Sequence, residues 1–427
     1  MTPPLRNSYV VFSDRVLDPK TGTFAPRRIE VQEGMIVSVE SLQEIPTERE
    51  ESFDLRGLRV LPPLVDAHVH LYFEPWPLDP EVRESPATAA GPEDLARARE
   101  RLTQAFYAGV GVLRDLGDPL GINLSALEWT SEAADLPRLI ASGPGLYREG
   151  RYGRFIGCPC RDRPELLRRV RALCADPRVH LIKLVATGII NFKQGGVSSA
   201  PPWETDDLKA AVELAHELGK RIAAHASGEE GVRRAVEAGV DFIEHGYFIS
   251  AKTMEELARR RLAWTPTFAP VHAQWFRAEC CGWSAEVRER LRGILDEHAR
   301  MLRFAHGLGA NIMPGSDAGG PGVGHGGGLW QELRLMQEAG IEPLVLLRMS
   351  TAQAASGLGL GESCGKLAPG SPADFIAVDG PLERDVSALN RIRWVARDGR
   401  VAEARMPWLV TDPEAEGYGL RPVHRET

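Results

Sequence analysis

Short apolar runs alternate with longer amphipathic stretches through the middle of the chain. Residues 208–218 place Leu, Ala and Val on one side and Lys and Glu on the other before Gly219, which predicts an α-helix. We predict eight strands, each followed by helix, beginning near Val60, Val110, Arg138, Leu181, Arg221, Asp241, Leu262 and Asn311. Eight βα units over about 300 residues favour an α/β fold of the (β/α)8 TIM-barrel type. A doubly wound open sheet is the alternative.

The two ends of the chain have a different pattern, with short apolar segments separated by turn residues. Such segments occupy residues 9–12, 28–31 and 35–39, and the pattern returns at 373–378 and 392–401. Segments of this length and composition are typical of β-strands. We therefore predict a small β-sandwich domain built from residues 1–61 and 364–405, a barrel domain at 62–363, and a tail at 406–427 without strand or helix periodicity.

Composition excludes several classes of protein. The chain has 51 Lys and Arg against 59 Asp and Glu, a net charge of −8, and no basic stripe interleaved with aromatic residues, so no nucleic-acid partner is expected. The N-terminus lacks an apolar signal region, and nowhere do about 18 uncharged apolar residues run together, so we expect a cytoplasmic protein without a membrane partner. The six cysteines lack the C-x-x-C spacing of a structural zinc site and are expected to be reduced. An interaction between Cys158 and Cys160 stays open.

Metal-binding residue types occur in the predicted strands or where they end. These residues are His68, His70, Lys183, His225, His245 and Asp317. Barrel active sites lie where strands end and βα loops begin. His68 and His70 should share a face of their strand, because side chains two positions apart point to the same side. Imidazole and carboxylate together favour zinc, with manganese, iron or cobalt as alternatives. For the His-x-His pair alone, a buried hydrogen-bonded histidine is the alternative, and His216 and His306 belong to predicted helices outside the site.

Lys183 is the unexpected member of this set, because its neighbours in the strand are all apolar. Burying an ammonium group there is costly and favours the neutral amine. A neutral amine can add carbon dioxide and become a carbamate, whose two oxygens can bridge two metal ions. The alternative is a lysine that reaches past the strand end to a carboxylate such as Asp317.

A site of this composition can activate water. Between two metal ions, the pKa of a water molecule falls from about 16 toward roughly 7, so the resulting hydroxide becomes the nucleophile. Asp317 would accept its proton and deliver it to the departing amine or alcohol. One metal ion would polarise the substrate carbonyl.

The same residues, with their flanking sequences, resemble the amidohydrolase superfamily over nearly the whole chain. Residues 60–70 (VLPPLVDAHVH) look like its strand 1 signature, 108–117 (AGVGVLRDLG) its strand 2, and 238–246 (AGVDFIEHG) its strand 6. Residues 365–375 (GKLAPGSPADF) resemble the segment that re-enters the small sheet domain. Together these motifs are specific for the superfamily.

Within the superfamily, residues 182–188 (IKLVATG) are similar to the imidazolonepropionase-related branch with a carboxylated lysine. That branch contains prolidase-like dipeptidases, metal carboxypeptidases and amide hydrolases of aromatic toxins. The resemblance implies a binuclear site, with zinc the expected metal, and hydrolysis of a C–N bond. It also implies that His68, His70 and Asp317 hold one metal, His225 and His245 the other, and Lys183 both.

Two loops depart from the pattern of the relatives. Residues 189–194 (IINFKQ) replace a glycine-rich stretch, and 147–154 (YREGRYGR) replace a loop often rich in Gly and His. Both loops should face the substrate, so they leave its identity open. The candidates for substrate binding are Arg148, Arg151, Tyr152, Arg154, Tyr247 and His325, with Trp203 and Trp330 as further possible pocket residues. An arginine could clamp a carboxylate; a solvated loop, a structural histidine and aromatic packing are the alternatives.

The predicted function is hydrolysis of an N-acyl amino acid, a dipeptide or a related small amide. The alternatives are a mononuclear deaminase or cyclic-amidine hydrolase, and ester, lactone or phosphotriester hydrolysis. Deaminases of this type usually have Glu three residues after the strand 5 histidine, whereas this chain has Gly228. A metal-free scaffold is the remaining alternative, but no ligand is missing. The expected partner is a small-molecule substrate, and relatives suggest a homo-oligomer.

Overall fold

The computed structural model describes residues 8–18, 21–43, 52–76, 90–404, 410–411 and 420–421. Its strands, in chain order, are β1 (Tyr9–Asp18), β2 (Thr23–Gln32), β3 (Met35–Ser41), β4 (Ser52–Asp54), β5 (Arg59–Leu61), β6 (Leu64–Val69), β7 (Val110–Asp115), β8 (Arg138–Ala141), β9 (Gly145–Arg148), β10 (Gly157–Cys160), β11 (Leu181–Val185), β12 (Ile190–Asn191), β13 (Gly196–Val197), β14 (Arg221–Ala226), β15 (Phe242–His245), β16 (Ala263–Thr265), β17 (Asn311–Ile312), β18 (Phe375–Val378), β19 (Ile392–Arg397), β20 (Arg400–Glu403), β21 (Val410–Thr411) and β22 (Leu420–Arg421).

The α-helices are α1 (Pro92–Tyr107), α2 (Ile122–Glu132), α3 (Arg163–Ala175), α4 (Thr205–Glu217), α5 (Glu229–Ala238), α6 (Ala251–Arg259), α7 (Phe268–Phe276), α8 (Ala285–Gly307), α9 (Gly328–Glu338), α10 (Pro343–Arg348) and α11 (Ala354–Gly357). A π-helical turn, Met349–Gln353, joins α10 to α11. The predicted helix at 208–218 is present as α4, whose apolar face is buried. Each fully buried Leu or Val there contributes roughly 1.5–3 kcal/mol.

Both ends of the chain contribute strands to one mixed sheet. Its order is β20-β19-β18-β5-β1-β2-β3, with β4 paired to β1. Alternating residues of β1 and β2, such as Val11 and Ile29, lie opposite each other and pack with Phe375 in a core of their own. The predicted β-sandwich is not confirmed, because these strands form a single sheet. The predicted domain boundaries are not tested by this arrangement and stay a prediction.

The middle of the chain forms parallel strands with intervening helices, which confirms the α/β class. The parallel strands fall into a three-stranded sheet, β6-β7-β8, and a seven-stranded sheet, β10-β9-β11-β14-β15-β16-β17, rather than one closed sheet, and β12 and β13 form a separate antiparallel pair. Each of the eight predicted strands has an observed counterpart. The predicted order along the chain therefore holds, while closure into a barrel is not seen in the sheet pairing.

The first parallel strand begins later than predicted. Val60 belongs to β5, which pairs with β18 in the mixed sheet, whereas β6 begins at Leu64. Pro62 and Pro63 lie between the two strands. Proline has no N–H to donate to a sheet, so this pair ends one strand and allows the chain to enter the next sheet.

The predictions for the tail and the cysteines have different outcomes. Residues 410–411 pair with 420–421 in an antiparallel ladder, while the rest of the predicted 406–427 tail lies outside the described residues. All six cysteines are free, including Cys158 and Cys160 in β10.

Within the described ranges, no helix combines the length and apolar character that crossing a bilayer requires.

Candidate metal centre

Two histidines and one aspartate meet at the carboxyl ends of β6 and β17. His68 and His70 approach each other through their Nε2 atoms at 3.4 Å, and Asp317 Oδ1 lies 3.6 Å from each Nε2. One potential ligand atom from each residue lies within 4.8 Å of the others. Nitrogen and carboxylate oxygen ligands at this spacing suit a divalent transition metal. These three residues therefore form a group that could hold a metal ion.

The close approach of two backbone segments makes this group possible. Asp317 N donates to His68 O at 2.7 Å, and Ala67 N donates to Pro314 O at 3.0 Å. A Cβ added at Gly315 would lie 2.8 Å from His68 N, so only glycine permits this contact.

His225 in β14 and His245 in β15 extend the row of imidazole rings. The ring centroids are 4.9 Å apart for His68 and His245 and 4.6 Å apart for His225 and His245. His245 Nδ1 lies 2.7 Å from Thr267 Oγ1, and His225 Nε2 lies 3.3 Å from Gly188 O. Burial lowers the pKa of both histidines, that of His225 to about 3. Their rings are therefore neutral, as a metal ligand requires.

Lys183 lies in the middle of β11 with its side chain 1% exposed. Its Nζ has no hydrogen-bond partner among the described residues, so the alternative of a direct hydrogen bond to Asp317 is not observed. Burial lowers the pKa of Lys183, while the charges of Glu244 and Asp317 partly oppose this effect. A buried amine without a hydrogen-bond partner among the described residues is unusual in a folded protein, and burial favours its neutral form.

A buried carboxylate and a buried guanidinium group form a hydrogen-bonded chain that ends on His68. Glu244 Oε2 lies 2.7 Å from His68 Nδ1, and Arg114 Nη2 donates to Glu244 Oε1 at 2.7 Å. All three side chains are 0% exposed. A carboxylate bonded to the second ring nitrogen fixes the orientation and tautomer of a metal-binding histidine. Glu244 therefore leaves Nε2 of His68 available on the side of His70 and Asp317.

Two of the candidate ligands have unfavourable backbone conformations. His245 has φ 70° and Asp317 has φ 54°, in the left-handed region that non-glycine residues rarely occupy. Asp66 helps to hold the second of these, because its carboxylate accepts from Ser316 N at 2.8 Å and from Ser316 Oγ at 2.5 Å. Strain of this kind is common at functional sites.

The candidate centre opens into a cavity of about 830 Å³. Its deep lining includes His70, Lys183, His225, His245 and Asp317. Aromatic side chains form much of the remaining wall; they are Tyr72, Phe73, Trp76, Tyr152, Phe155, Phe192, Tyr247 and Trp283. A concave, largely apolar site with a few convergent polar groups is the usual form of a small-molecule pocket.

The predicted substrate residues lie in different places. Tyr152 and Tyr247 line the cavity, whereas Arg154 and His325 are not among its described lining residues. Arg154 and Arg151 are exposed. His325 is buried, and its Nε2 donates to His70 O at 3.1 Å, so it supports a ligand strand from outside the cavity.

The remaining aromatic candidates are packed in the interior. Arg148 lies over the ring of Trp203, with 5.1 Å between Cζ and the ring centroid, and Trp203 Nε1 donates to Val185 O. Trp330 Nε1 donates to Ala108 O. Neither tryptophan is among the described lining of the cavity.

Arg114, Glu244 and Thr267 contact the candidate ligands or their partners but are not among the residues predicted from the sequence. Arg114 and Glu244 each follow an apolar run inside a buried strand, which is a usable signal, because a charged residue in a buried strand needs a partner. Thr267 gives no such signal. Its contact with His245 depends on the turn before α7.

The amidohydrolase family is the family whose sequence profile matches this chain, over residues 59–402. Ochratoxinase from Aspergillus niger is 24% identical over 411 residues, which cover 89% of this chain and 79% of that enzyme. An uncharacterised Mycobacterium bovis protein is 29% identical over 260 residues, or 61% of this chain. The match spans 64% of that protein's length, less than two thirds.

Solved structures show the same relationship. A crystal structure of a Xaa-Pro dipeptidase with bound methionine in the active site matches with a TM-score of 0.79 and 25% identity, covering 93% of this chain and 100% of that one. The family match includes the six candidate ligands and reaches into the mixed sheet at β20. This chain therefore belongs to the amidohydrolase family.

Proposed function

We propose that this protein is a binuclear metal-dependent hydrolase that cleaves the C–N bond of an N-acyl amino acid, a dipeptide or a related small amide. The observation that carries the proposal is Lys183, whose buried Nζ has no hydrogen-bond partner in the described part of the chain. It lines the same cavity as His70, His225, His245 and Asp317. As a carbamate, this lysine would carry a negative charge and two ligand oxygens. Both the cost of its burial and its lack of a partner would then be explained.

The residues present fit two divalent metal ions, most simply zinc. His68, His70 and Asp317 would hold one ion, His225 and His245 the other, and carboxylated Lys183 both. Neutral imidazoles and anionic oxygens are the donors that such ions prefer. Bound ions of this kind lower the pKa of water and polarise a carbonyl oxygen.

The chain itself supplies the proton transfer. The Asp317 side chain is 18% exposed and lines the cavity, so its carboxylate can meet a substrate. It accepts a proton from the attacking water and donates that proton to the leaving nitrogen. The hydrogen bond from the N–H of Asp317 to His68 O helps to hold its backbone at a positive φ.

The walls of the cavity favour substrates with an apolar group beside the amide. Tyr152 lies next to both His225, at 5.1 Å between ring centroids, and Phe155, at 5.0 Å. Phe73 lies next to His70 at 5.3 Å. Aromatic walls this close to the candidate ligands would hold an apolar acyl or amino-acid side chain near the scissile bond. The names of two similar proteins, a dipeptidase and ochratoxinase, are compatible with this class.

We also propose that the parallel strands form one (β/α)8 TIM-type barrel. Backbone hydrogen bonds support this at both gaps between the two sheets. Ala67 N donates to Pro314 O beyond β17, and His180 N, just before β11, donates to Ala141 O at 2.9 Å in β8. Closure would bring the carboxyl ends of all eight strands to one rim, where active sites of such barrels lie.

A substrate screen tests the proposed activity. Zinc-loaded protein, prepared with bicarbonate present, would be incubated with N-acyl amino acids, Xaa-Pro dipeptides and aromatic amides, and in parallel with lactones, phosphotriesters and cyclic amidines. The products released from each would be measured. We expect saturable hydrolysis of at least one class and its loss in Asp317→Asn. Turnover of lactones or phosphotriesters with no amide cleaved would contradict C–N hydrolysis, and ammonia release from a ring amidine would favour a deaminase.

A further inference from the structure

Thr267 has a backbone conformation that its side chain makes costly. Its φ is 53°, and a β-branched residue in the left-handed region is a genuine outlier. Glycine would adopt this conformation without strain. A threonine at such a position indicates that the hydroxyl group has a use.

That use is not helix capping. Thr267 is the N-cap residue of α7, where a threonine hydroxyl usually accepts from a backbone N–H of the first turn, yet Thr267 makes no side-chain capping hydrogen bond. Glu332 takes over this function, since its Oε2 accepts from Ala269 N at 2.8 Å. The hydroxyl of Thr267 is thereby free to contact His245 Nδ1 at 2.7 Å.

Two further buried side chains hold the backbone of this turn. Tyr247 donates from its hydroxyl to Thr267 O at 3.1 Å, and His298 Nε2 donates to Pro266 O at 2.9 Å. The rings of Tyr247 and His298 stack with their centroids 3.7 Å apart. The turn is therefore fixed on both sides of Thr267.

His245 is fixed from the opposite direction as well. Its backbone carbonyl accepts from Trp264 Nε1 at 2.9 Å, and its φ is also positive. Two strained residues thus face each other across one hydrogen bond. With Nδ1 bonded to Thr267, Nε2 is the ring nitrogen of His245 that can serve as a ligand.

We propose that Thr267 is a positioning residue for His245. Its hydroxyl oxygen accepts the Nδ1–H of the imidazole, which fixes the tautomer with the lone pair on Nε2 and holds the ring beside His225. The hydrogen bond explains why threonine rather than glycine occupies this unfavourable φ, because the threonine hydroxyl orients His245 toward the second metal position. The inference rests on the proposed binuclear function, in which His245 binds a metal ion.

Three substitutions separate the hydroxyl group from the shape of the side chain. Thr267→Ser keeps the hydroxyl and removes the β-branch, Thr267→Val keeps the branch and removes the hydroxyl, and Thr267→Gly removes both and relieves the backbone strain. Thr130→Val is the matched control, because it deletes another buried threonine hydroxyl, which donates to Leu127 O at 3.2 Å in α2.

The test is titration of metal-free, full-length protein with Co²⁺ in bicarbonate, followed by the visible absorption of bound cobalt, together with urea unfolding of the metal-free protein. We expect two ions to bind to the wild type, to Thr267→Ser and to Thr130→Val. For Thr267→Val and Thr267→Gly we expect the second ion to bind about 10–100-fold more weakly, while urea unfolding shows that each metal-free variant still unfolds in one cooperative transition.

The outcomes distinguish this inference from the function on which it rests. A wild type that binds fewer than two ions would contradict the binuclear centre and the inference with it. Two ions in the wild type, with unchanged affinity in Thr267→Val and Thr267→Gly, would overturn the role of Thr267 alone. Weak binding in Thr267→Ser would also overturn it, because the hydroxyl is then not the determinant.

Discussion

The Nδ1 atom of His68 lies 2.7 Å from the Oε2 atom of Glu244, and neither side chain is exposed to solvent. The other oxygen of Glu244 accepts from Arg114, whose Nε also donates to Ala67 O at 2.5 Å. Glu244 thus compensates a buried positive charge and orients a candidate ligand at the same time. Substitution of this one residue should affect both folding and metal binding.

Glu244→Ala should destabilise the metal-free protein by about 3–5 kcal/mol, because it leaves Arg114 buried and unpaired. Urea unfolding of the metal-free protein measures this difference. Glu244→Gln should recover part of the stability, since its amide oxygen can accept from Arg114, while the first metal ion still binds more weakly.

Glu230→Ala is the control for this prediction. Glu230 is half exposed and pairs with Arg233 and Arg234 on the surface of α5, so its loss should change stability by about 1 kcal/mol or less. Equal losses for Glu244→Ala and Glu230→Ala would show that the buried pair is not a major determinant of the fold.

Lys183→Ala should lose the bridge between the two metal positions. We expect fewer bound metal ions after dialysis and little hydrolysis. A short carboxylate such as propionate, added at high concentration, should restore part of the activity by entering the space that the side chain leaves. Elemental analysis and amine release measure the two effects. Full metal content and full activity in Lys183→Ala would rule out the carbamate bridge.

The raised pKa of buried Glu332 leads us to expect that the stability of the protein depends on pH. Burial raises its pKa from the usual 4.5 to about 8. Between these values the folded state holds a proton that the unfolded state has released, so stability falls as pH rises. The stabilisation that comes from protonated Glu332 is fully present below pH 4.5 and is lost as pH rises through about 8.

Glu332→Gln should therefore reduce the fall in unfolding free energy between pH 5 and pH 8. Urea unfolding of the metal-free protein at both values tests this. Glu338→Gln, an exposed position on the same helix α9, should leave the fall as it is in the wild type. If Glu332→Gln also leaves it unchanged, Glu332 is already ionised in the folded protein.

Tyr152→Leu should weaken substrate binding more than catalysis. Its ring lies between His225 and Phe155 at the wall of the cavity, and aromatic contacts contribute about 0.5–1.5 kcal/mol beyond the area they bury. We expect KM to rise about 2–10-fold with kcat nearly unchanged, measured on the best substrate of the screen. Phe276→Leu, outside the described lining of the cavity, is the control. A fall in kcat at constant KM would contradict a binding role.

The strands that carry the candidate site, and the candidate ligands themselves, could be predicted from the sequence. Seven of the eight predicted strands begin within two residues of their structural counterparts, because short apolar runs bounded by turn residues mark buried strands well. The first begins four residues later than predicted, since the apolar run 60–65 hides a change of sheet at Pro62 and Pro63. The candidate ligands could be named because each follows or interrupts such a run.

The parts that could not be predicted depend on contacts between distant segments. The 2.7 Å contact between Thr267 and His245 requires a turn whose conformation no local pattern encodes. For His325, the glycine-rich loop leaves both a substrate contact and a structural histidine open, and its hydrogen bond to His70 O depends on packing between distant segments. The aromatic wall is assembled from residues between 72 and 283, and side chains that far apart in sequence have no shared periodicity.

Metal-dependent amide hydrolysis is the central claim, and a metal titration of activity tests it most directly. Metal-free protein in bicarbonate would be titrated with Zn²⁺ while the amine released from the best amide substrate is measured. We predict no release of amine without metal, and a rate of amine release that rises until two zinc ions are bound per chain. Amide hydrolysis at full rate in the metal-free protein, or a maximum at one bound ion, would contradict it.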